Sequence, residues 1–563
     1  MIQPVLLGHD HTGAAVRLTP KIRSTHMHVI GATGQGKSRF LQHLIQQDIR
    51  HRHGVCLIDP HGELVDVIVR WCAQYRLQNR RRIHVIDPNS EDWTIGFNPL
   101  RCDDPRYLAK VVDDTVAVCA MVWGGEDTNK TPLLKRCLRA IFYALAVGGH
   151  PFSHAMHLAT HSDLEGFRQR VTAELPDPVF QLVWDDLNAM SSREFREAFS
   201  SANNRLFEFL SSPTVRLMLS LTKGTIDLAA CMEQGDIVLV NLRPDRISED
   251  NARLIGTLFT NGLFRAALRR DPRTAGRQPF YLYIDECYDF LSEDVEAMLD
   301  QTRKFGLHVT LSHQHLEQLR KRGEHIYGAV MGNARTKVVF GGLRDEDATI
   351  LANELLRSTF NFNRTKPTLD RPAVVGFETT IMRQRAVSRG RASTSGSSEM
   401  TGDVSGMFSS VSETYGADGL PLGSGSTGSG TSAITSYGSG SMRAETESAA
   451  VVEGEAEALR PILQTLPSAV EGEAEILNRA ILSLRELPPR YFCLRMPQNL
   501  PQMMTTPEIA DIRIRPSRVG EFLEASRTAS PYCLPVSMVA AMRDDEVVVA
   551  PDEDDDPYSE PVQ

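Results

Sequence analysis

The stretch 26–40, HMHVIGATGQGKSRF, constrains this chain more than any other. A short apolar run (Met27, Val29, Ile30) stops at Gly31, and Phe40, Leu41, Leu44 and Ile45 then recur at helical spacing. The order is strand, tight loop, helix. The loop reads G-x-x-x-x-G-K-S through Gly31, Ala32, Thr33, Gly34, Gln35, Gly36, Lys37 and Ser38, with Arg39 next. Polyphosphate needs each of these features. Backbone N–H groups wrap phosphate oxygens only where the chain turns sharply without side chains in the way. The open N–H groups of the helix start add partial positive charge there. Lys37 supplies a full charge toward the β and γ phosphates, and the Ser38 hydroxyl suits Mg2+. The expectation is a site for ATP with Mg2+.

A chain of 563 residues with 41% hydrophobic content is long enough for two or three domains plus tails. No apolar run approaches the ~18 residues that span a bilayer, and the first twelve residues lack a basic segment followed by an apolar one. A cytoplasmic protein without a membrane span of its own is expected. The nine cysteines are scattered singly, which fits reduced thiols and not a disulfide or zinc framework. Net charge is −10, yet the tail after Arg543 holds nine acids and no Lys or Arg. The rest is near neutral, so overall charge neither supports nor excludes nucleic acid.

Along the chain, buried-type strands at 55–59 and 83–87 alternate with helical periodicity, the pattern of a mostly parallel α/β sheet. The helix after the phosphate loop is expected to end with Gly54 just beyond its last turn. Residues 103–230 read as an inserted all-helical subdomain. The α/β pattern returns with strands at 236–242, 279–286, 307–312 and 336–340. The expected divisions are 1–102 and 231–387 for the two parts of the α/β domain, and 388–447 for a flexible Gly/Ser-rich insert. Residues 448–543 would form C-terminal helices and a strand on the core, and 544–563 an acidic disordered tail. The hexapeptide VEGEAE occurs at 452 and at 470, each copy expected to lead a helix.

Residues 281–286, YLYIDE, form an apolar strand ending in two acids. Successive side chains of a strand point to opposite sides, so Asp285 and Glu286 are expected to divide their roles, one beneath Mg2+ and one orienting the attacking water. Gln314 closes the next strand, at the edge where open α/β sheets bind ligands.

GATGQGKS, IDPHGEL (58–64), FNPL (97–100), IVLVNL (237–242), YIDEC, RKFGLHVTLSHQ (303–314) and GNARTKVVF (332–340) follow one another in this order. Together they resemble the HerA/FtsK-type P-loop motor ATPases, and among them the VirD4/TraD-like coupling proteins of conjugative type IV secretion. The resemblance spans roughly 20–360, with a weaker match near 470–500. It implies a RecA-like, additional-strand catalytic-glutamate fold, with strand 307–312 between the phosphate-loop strand and the Walker B strand. It implies Asp285 as Mg2+ ligand, Glu286 as general base, Gln314 as sensor and Lys37 as catalytic cation. It further implies a homo-oligomeric, hexameric ring acting on DNA, with relaxase or secretion-system partners at the inner membrane, and an arginine reaching across the subunit interface. Arg303, Arg320 and Arg335 are the candidates near the site. Members of the coupling-protein branch begin with transmembrane helices, which this sequence does not show.

A secretion ATPase acting on protein substrates, VirB4-like, is the alternative; a slowly hydrolysing, nucleotide-gated assembly module is another. Two smaller features carry more than one reading. His26 and His28 would share one face of a strand, which is metal-ligand geometry, although no third ligand follows. The clusters Arg80/Arg81/Arg82 and Arg383/Arg385/Arg389/Arg391 read as solvated faces or as contacts to DNA phosphates.

Overall fold

The computed structural model describes residues 3–124, 132–163, 166–222, 224–245, 247–274, 277–356, 371–394, 413–415, 421–423, 444–466 and 473–539. The chain divides into two compact units, Met1–Phe362 with Ile476–Gln563, and Asn363–Glu475. Strands of the first unit are β1 (Val5–Asp10), β2 (Ala15–Leu18), β3 (Met27–Ile30), β4 (Gly54–Asp59), β5 (Ile83–Ile86), β6 (Trp93–Ile95), β7 (Ile237–Asn241), β8 (Phe280–Ile284), β9 (Leu307–His313) and β10 (Thr336–Phe340). Strands β11 (Arg371–Thr394), β12 (Glu413–Tyr415), β13 (Pro421–Gly423) and β14 (Ala444–Leu466) belong to the second, and β15 (Tyr491–Arg495), β16 (Gln502–Thr505) and β17 (Cys533–Pro535) return to the first.

The first unit is built on one eleven-stranded sheet in the order β2-β1-β16-β15-β10-β3-β9-β8-β4-β7-β5. From β10 to β5 every neighbour pairs in parallel. β4, β7 and β8 are buried at every position, which explains why their sequences are continuous apolar runs. The remaining strands form an antiparallel wing, joined to the parallel part where β15 pairs with β10. β9 lies between β3 and β8, the order the resemblance implied.

Helices Lys37–Arg50, Glu63–Gln74 and Pro516–Ala529 pack on one face of the sheet. In that core Phe40 of the first helix meets Phe340 of β10 and Phe492 of β15, with ring centroids 5.2 to 5.8 Å apart. The other face carries the long helix Glu249–Leu268 and a set of helices between β6 and β7, including Leu108–Gly124, Pro132–Val147, Pro178–Asn188 and Ser192–Leu210. Proline at the first helical position and a side-chain cap from Asp177 start Pro178–Asn188, while a Ser191–Glu194 capping box starts Ser192–Leu210.

Several expectations change. The phosphate-loop helix does not use Gly54 to end: Arg52 takes the left-handed turn at φ 62, and Gly54 already opens β4. A Cβ on Gly54 would lie 2.4 Å from the Phe280 ring, so close packing explains that glycine. The VEGEAE copy at 452 lies within β14, paired antiparallel with β11 so that Glu453 stands opposite Arg385 and Glu455 opposite Arg383. Acid alternating with small residues satisfies a period of two as readily as a helical one. The copy at 470 does lead a helix, Glu473–Arg485. Residues 448–475 accordingly belong to the second unit, while the C-terminal part that joins the main core begins at Ile476. β11 and β14 reach into the span 388–447, whose other residues, apart from β12 and β13, lie outside the described residues, as does the tail 544–563.

Candidate nucleotide site

Parallel β3, β9, β8 and β4 all end at one edge of the sheet, and the loops leaving that edge form the site. The phosphate loop lies between β3 and helix Lys37–Arg50, with Gly36 at φ 105 as the residue that starts the helix. A side chain there would be strained, and one at Gly31 would lie 2.5 Å from the Phe340 Cβ. A Cβ on Gly34 would meet nothing within 4 Å, so the loop opens into free space there. Lys37 is buried, and its Nζ donates to the carbonyls of Gly31 at 2.6 Å and Ala32 at 3.1 Å. Burial holds its pKa below the ordinary value, although Glu286 and Asp285 pull it up. Ser38 and Arg39 are exposed on the first turn.

The two acids after β8 are brought to the same place by a kink. β8 ends at Ile284, and Glu286 is left-handed (φ 43, ψ 52), a conformation that costs a non-glycine residue free energy and concentrates at functional sites. Strand alternation therefore does not separate the pair, as the sequence suggested; the turn does. Asp285 donates its amide to Ile58 O at 3.0 Å, anchoring it to β4. Gln314 Nε2 donates to Glu286 Oε1 at 2.8 Å, and Gln314 Oε1 accepts from Thr33 Oγ1 at 2.9 Å. One chain of side chains thus runs from the phosphate loop through the end of β9 to the acid after β8. The Glu286 Oε2 atom is buried and has no hydrogen-bond partner.

Burial raises the pKa of Glu286, against the hydrogen bond from Gln314 that lowers it. Burial raises Asp285 too, and the charge of Asp59 adds to the effect. Asp59, at the end of β4, spends its oxygens on the amides of His61, Leu64 and Val65 at 2.8 to 3.0 Å, capping the next helix. Asp285 and Glu286 act on the buried Lys37 and Asp59 acts on Asp285, so the acids outnumber the lysine, which suits a divalent cation beside a polyphosphate.

Two supports were not legible in the sequence. Asp289, three residues past Glu286, is held between Arg253 Nε at 3.1 Å and Arg322 Nη2 at 3.3 Å, and Arg322 Nε donates to Tyr288 O at 3.0 Å. The acidic loop is thereby pinned to helix Glu249–Leu268 and to helix Leu316–Arg322, which follows Gln314. On the other side, the Arg490 amide donates to Gln35 O at 2.9 Å. That residue lies more than 450 positions away in sequence, just before β15.

Of the three arginines expected near the site, only Arg320 follows the C-terminal end of a central strand. It is paired with Glu346 at 2.8 Å and lies over the Tyr327 ring. Arg303 and Arg335 precede β9 and β10, whose Thr310 and Thr336 both align with Met27 of β3, so they sit at the edge opposite the phosphate loop. The histidine pair also separates. His26 is left-handed, outside β3, and accepts from Val309 N. His28 meets His313 of β9 instead, Nε2 to Nε2 at 2.6 Å, both buried and both pushed down in pKa by burial. Arg81 is committed to the carbonyls of Ile49, His53 and Gly235, and Arg82 to Asp236. Two of that cluster's three arginines therefore hold the fold together.

The helicase HerA central-domain model matches residues 6–118, and the model for the TraM recognition site of TraD and TraG matches 279–401. No curated protein matches the sequence. Among solved structures, the unbound bacterial conjugative coupling protein TrwBdeltaN70 is similar at a TM-score of 0.52 and 16% identity, over 91% of this chain and 90% of that one. Plasmid coupling protein TrwB with the ATP analogue ADPNP matches at 0.51 and 15%, over 92% of each chain. TrwB with the GTP analogue GDPNP matches at 0.51 and 15%, over 92% and 93%. The fold is that of these coupling-protein structures, and the two family models each match one part of it.

Proposed function

We propose that this chain is an ATP-driven DNA translocase of the coupling-protein kind, acting as a ring of identical subunits, hexameric by analogy with such motors. The observation that carries the ATPase part is the hydrogen-bonded chain Thr33–Gln314–Glu286, which links the phosphate loop to the acid after β8. The DNA part is supported by the HerA and TraD/TraG models and by the likeness to a conjugative coupling protein.

In this reading the loop amides and Lys37 take the β and γ phosphates, Lys37 exchanging its contacts to Gly31 O and Ala32 O for phosphate oxygens. Ser38 and Asp285 would hold Mg2+, which when bound offsets the charge on the phosphates. Gln314 fixes one oxygen of Glu286 and leaves Oε2 free to take the proton of the attacking water. The water oxygen bonds to the γ-phosphorus as the bond to the β–γ bridging oxygen breaks, releasing ADP and phosphate. Positioning of this kind is most of what phosphoryl transfer asks of a protein. Arg303 and Arg335, both exposed, are candidates to reach a neighbouring subunit's nucleotide. Among the described residues no helix is long and apolar enough to cross a membrane. In this reading the protein meets a secretion channel and a relaxase-bearing substrate at the inner membrane.

The test is ATP hydrolysis with and without DNA. The reading expects stimulation by DNA and its abolition in Glu286→Gln. Hydrolysis indifferent to DNA would contradict the translocase while leaving the nucleotide site intact.

A further inference from the structure

The two sides of the phosphate loop are built differently, and that difference locates the part of the nucleotide that the loop itself does not hold. β3 has two neighbours in the sheet, β9 and β10. On the β9 side stand Gln314, Glu286 and Asp285, the groups suited to the γ-phosphate. With its γ end there, a triphosphate has the opposite side of the loop, toward β10 and β15, open to its nucleoside end. What waits on that side is Arg490.

Arg490 is joined to the loop by its backbone: its amide donates to Gln35 O at 2.9 Å, and a Cβ on Gly36 would lie 3.4 Å from that same nitrogen. It is one of few non-glycine residues at positive φ (76), a conformation unfavourable for arginine in the absence of compensating contacts. Those contacts are present. Its carbonyl accepts from Thr506 N at 2.9 Å, its Nη2 donates to Thr506 O at 3.2 Å and its Nη1 donates to Glu508 at 3.3 Å. The guanidinium is thus tied along one edge to Thr506 and Glu508 while its side chain stays 46% exposed. A planar cation hydrogen-bonded along one edge and about half exposed can serve as a stacking platform for a heteroaromatic base.

We propose that Arg490, held by Glu508 and Thr506, is the nucleobase platform of this site, so that the C-terminal segment around β15 and β16 completes the nucleotide pocket. The inference rests on the reading of the loop as a triphosphate site. Stacking on the guanidinium tolerates either purine, so the platform adds affinity for the nucleoside without choosing adenine over guanine.

Equilibrium binding of two probes to the full chain tests this: the nonhydrolysable ATP analogue ADPNP and inorganic tripolyphosphate, which has no base. The variants are Arg490→Gly, which suits the left-handed backbone and removes only the side chain, and Arg490→Lys, which keeps the charge and loses the plane. The expected result is roughly tenfold or more weaker ADPNP binding in both variants, with tripolyphosphate binding unchanged. Glu508→Ala, which frees the guanidinium, should weaken ADPNP binding less. Equal weakening of both probes would show Arg490 to be a prop of the loop and overturn the proposal, as would ADPNP affinity equal to wild type. Wild-type protein binding neither probe would instead sink the reading of the loop itself.

Discussion

The parallel half of the main sheet and its antiparallel wing solve different problems. In the parallel half, successive loops leave one edge, so the groups that do chemistry arrive there from short, local segments: 31–38, 285–286 and 314. In the wing, β1 near the start of the chain pairs with β16 near its end, His9 opposite Thr505, and the product is a brace that holds the phosphate loop from the other side. Chemistry concentrates where strands end together; support comes from wherever the chain can close the sheet.

The widest separation between the halves should come from the smallest change. Glu286→Gln keeps the size and the Gln314 contact region but removes the base, and it should lower kcat by about 10²–10⁴-fold, read in steady-state ATP hydrolysis, with an unchanged melting temperature. Phe492→Ala is its counterpart in the wing. It empties a site between Phe40 and Phe340 and should cost about 3–5 kcal/mol in denaturant unfolding, while the folded fraction keeps its kcat within about twofold. If Phe492→Ala instead abolished turnover in protein that remained folded, the division of labour would be wrong.

A third experiment separates the pinning of the acidic loop from the chemistry. Asp289→Asn weakens the hold of Arg253 and Arg322 and should lower kcat several-fold with KM little changed, since the residue touches no phosphate position. A rise in KM alone would contradict that placement. The smallest effect is one of pH. Glu286 must be deprotonated to accept a proton, and burial has raised its pKa, so the acid limb of kcat should fall at a pH above that of an ordinary glutamate. Gln314 lowers that pKa through its hydrogen bond, so Gln314→Leu should move the limb to still higher pH. A limb that stays put or moves down would break the link between the two residues.

What was legible in the sequence follows the same line. The phosphate loop, the two acids and the glutamine could be named because each is a short pattern whose local geometry follows from glycine, from strand ends and from burial. The parallel strands were legible because burial on both faces leaves continuous apolar runs. Arg490 and Asp289 were not, because nothing local marks them: one depends on β15 pairing with β10, the other on helices that meet only in the fold. Arg303 and Arg335 lie at the edge opposite their own phosphate loop for a related reason. Proximity in sequence to a site strand says nothing about which end of that strand a residue precedes. The first VEGEAE copy became strand because a pattern of alternating acids is compatible with two periods, and the pairing of β14 with β11 decided between them.

The convergence of Lys37 and Glu286 on one triphosphate is best tested by a double-mutant cycle in kcat, using Lys37→Ala, Glu286→Gln and the two combined. Groups acting on the same transferring phosphate should give a double variant about as slow as the slower single variant. Losses that multiply, as for two independent sites, would contradict the account.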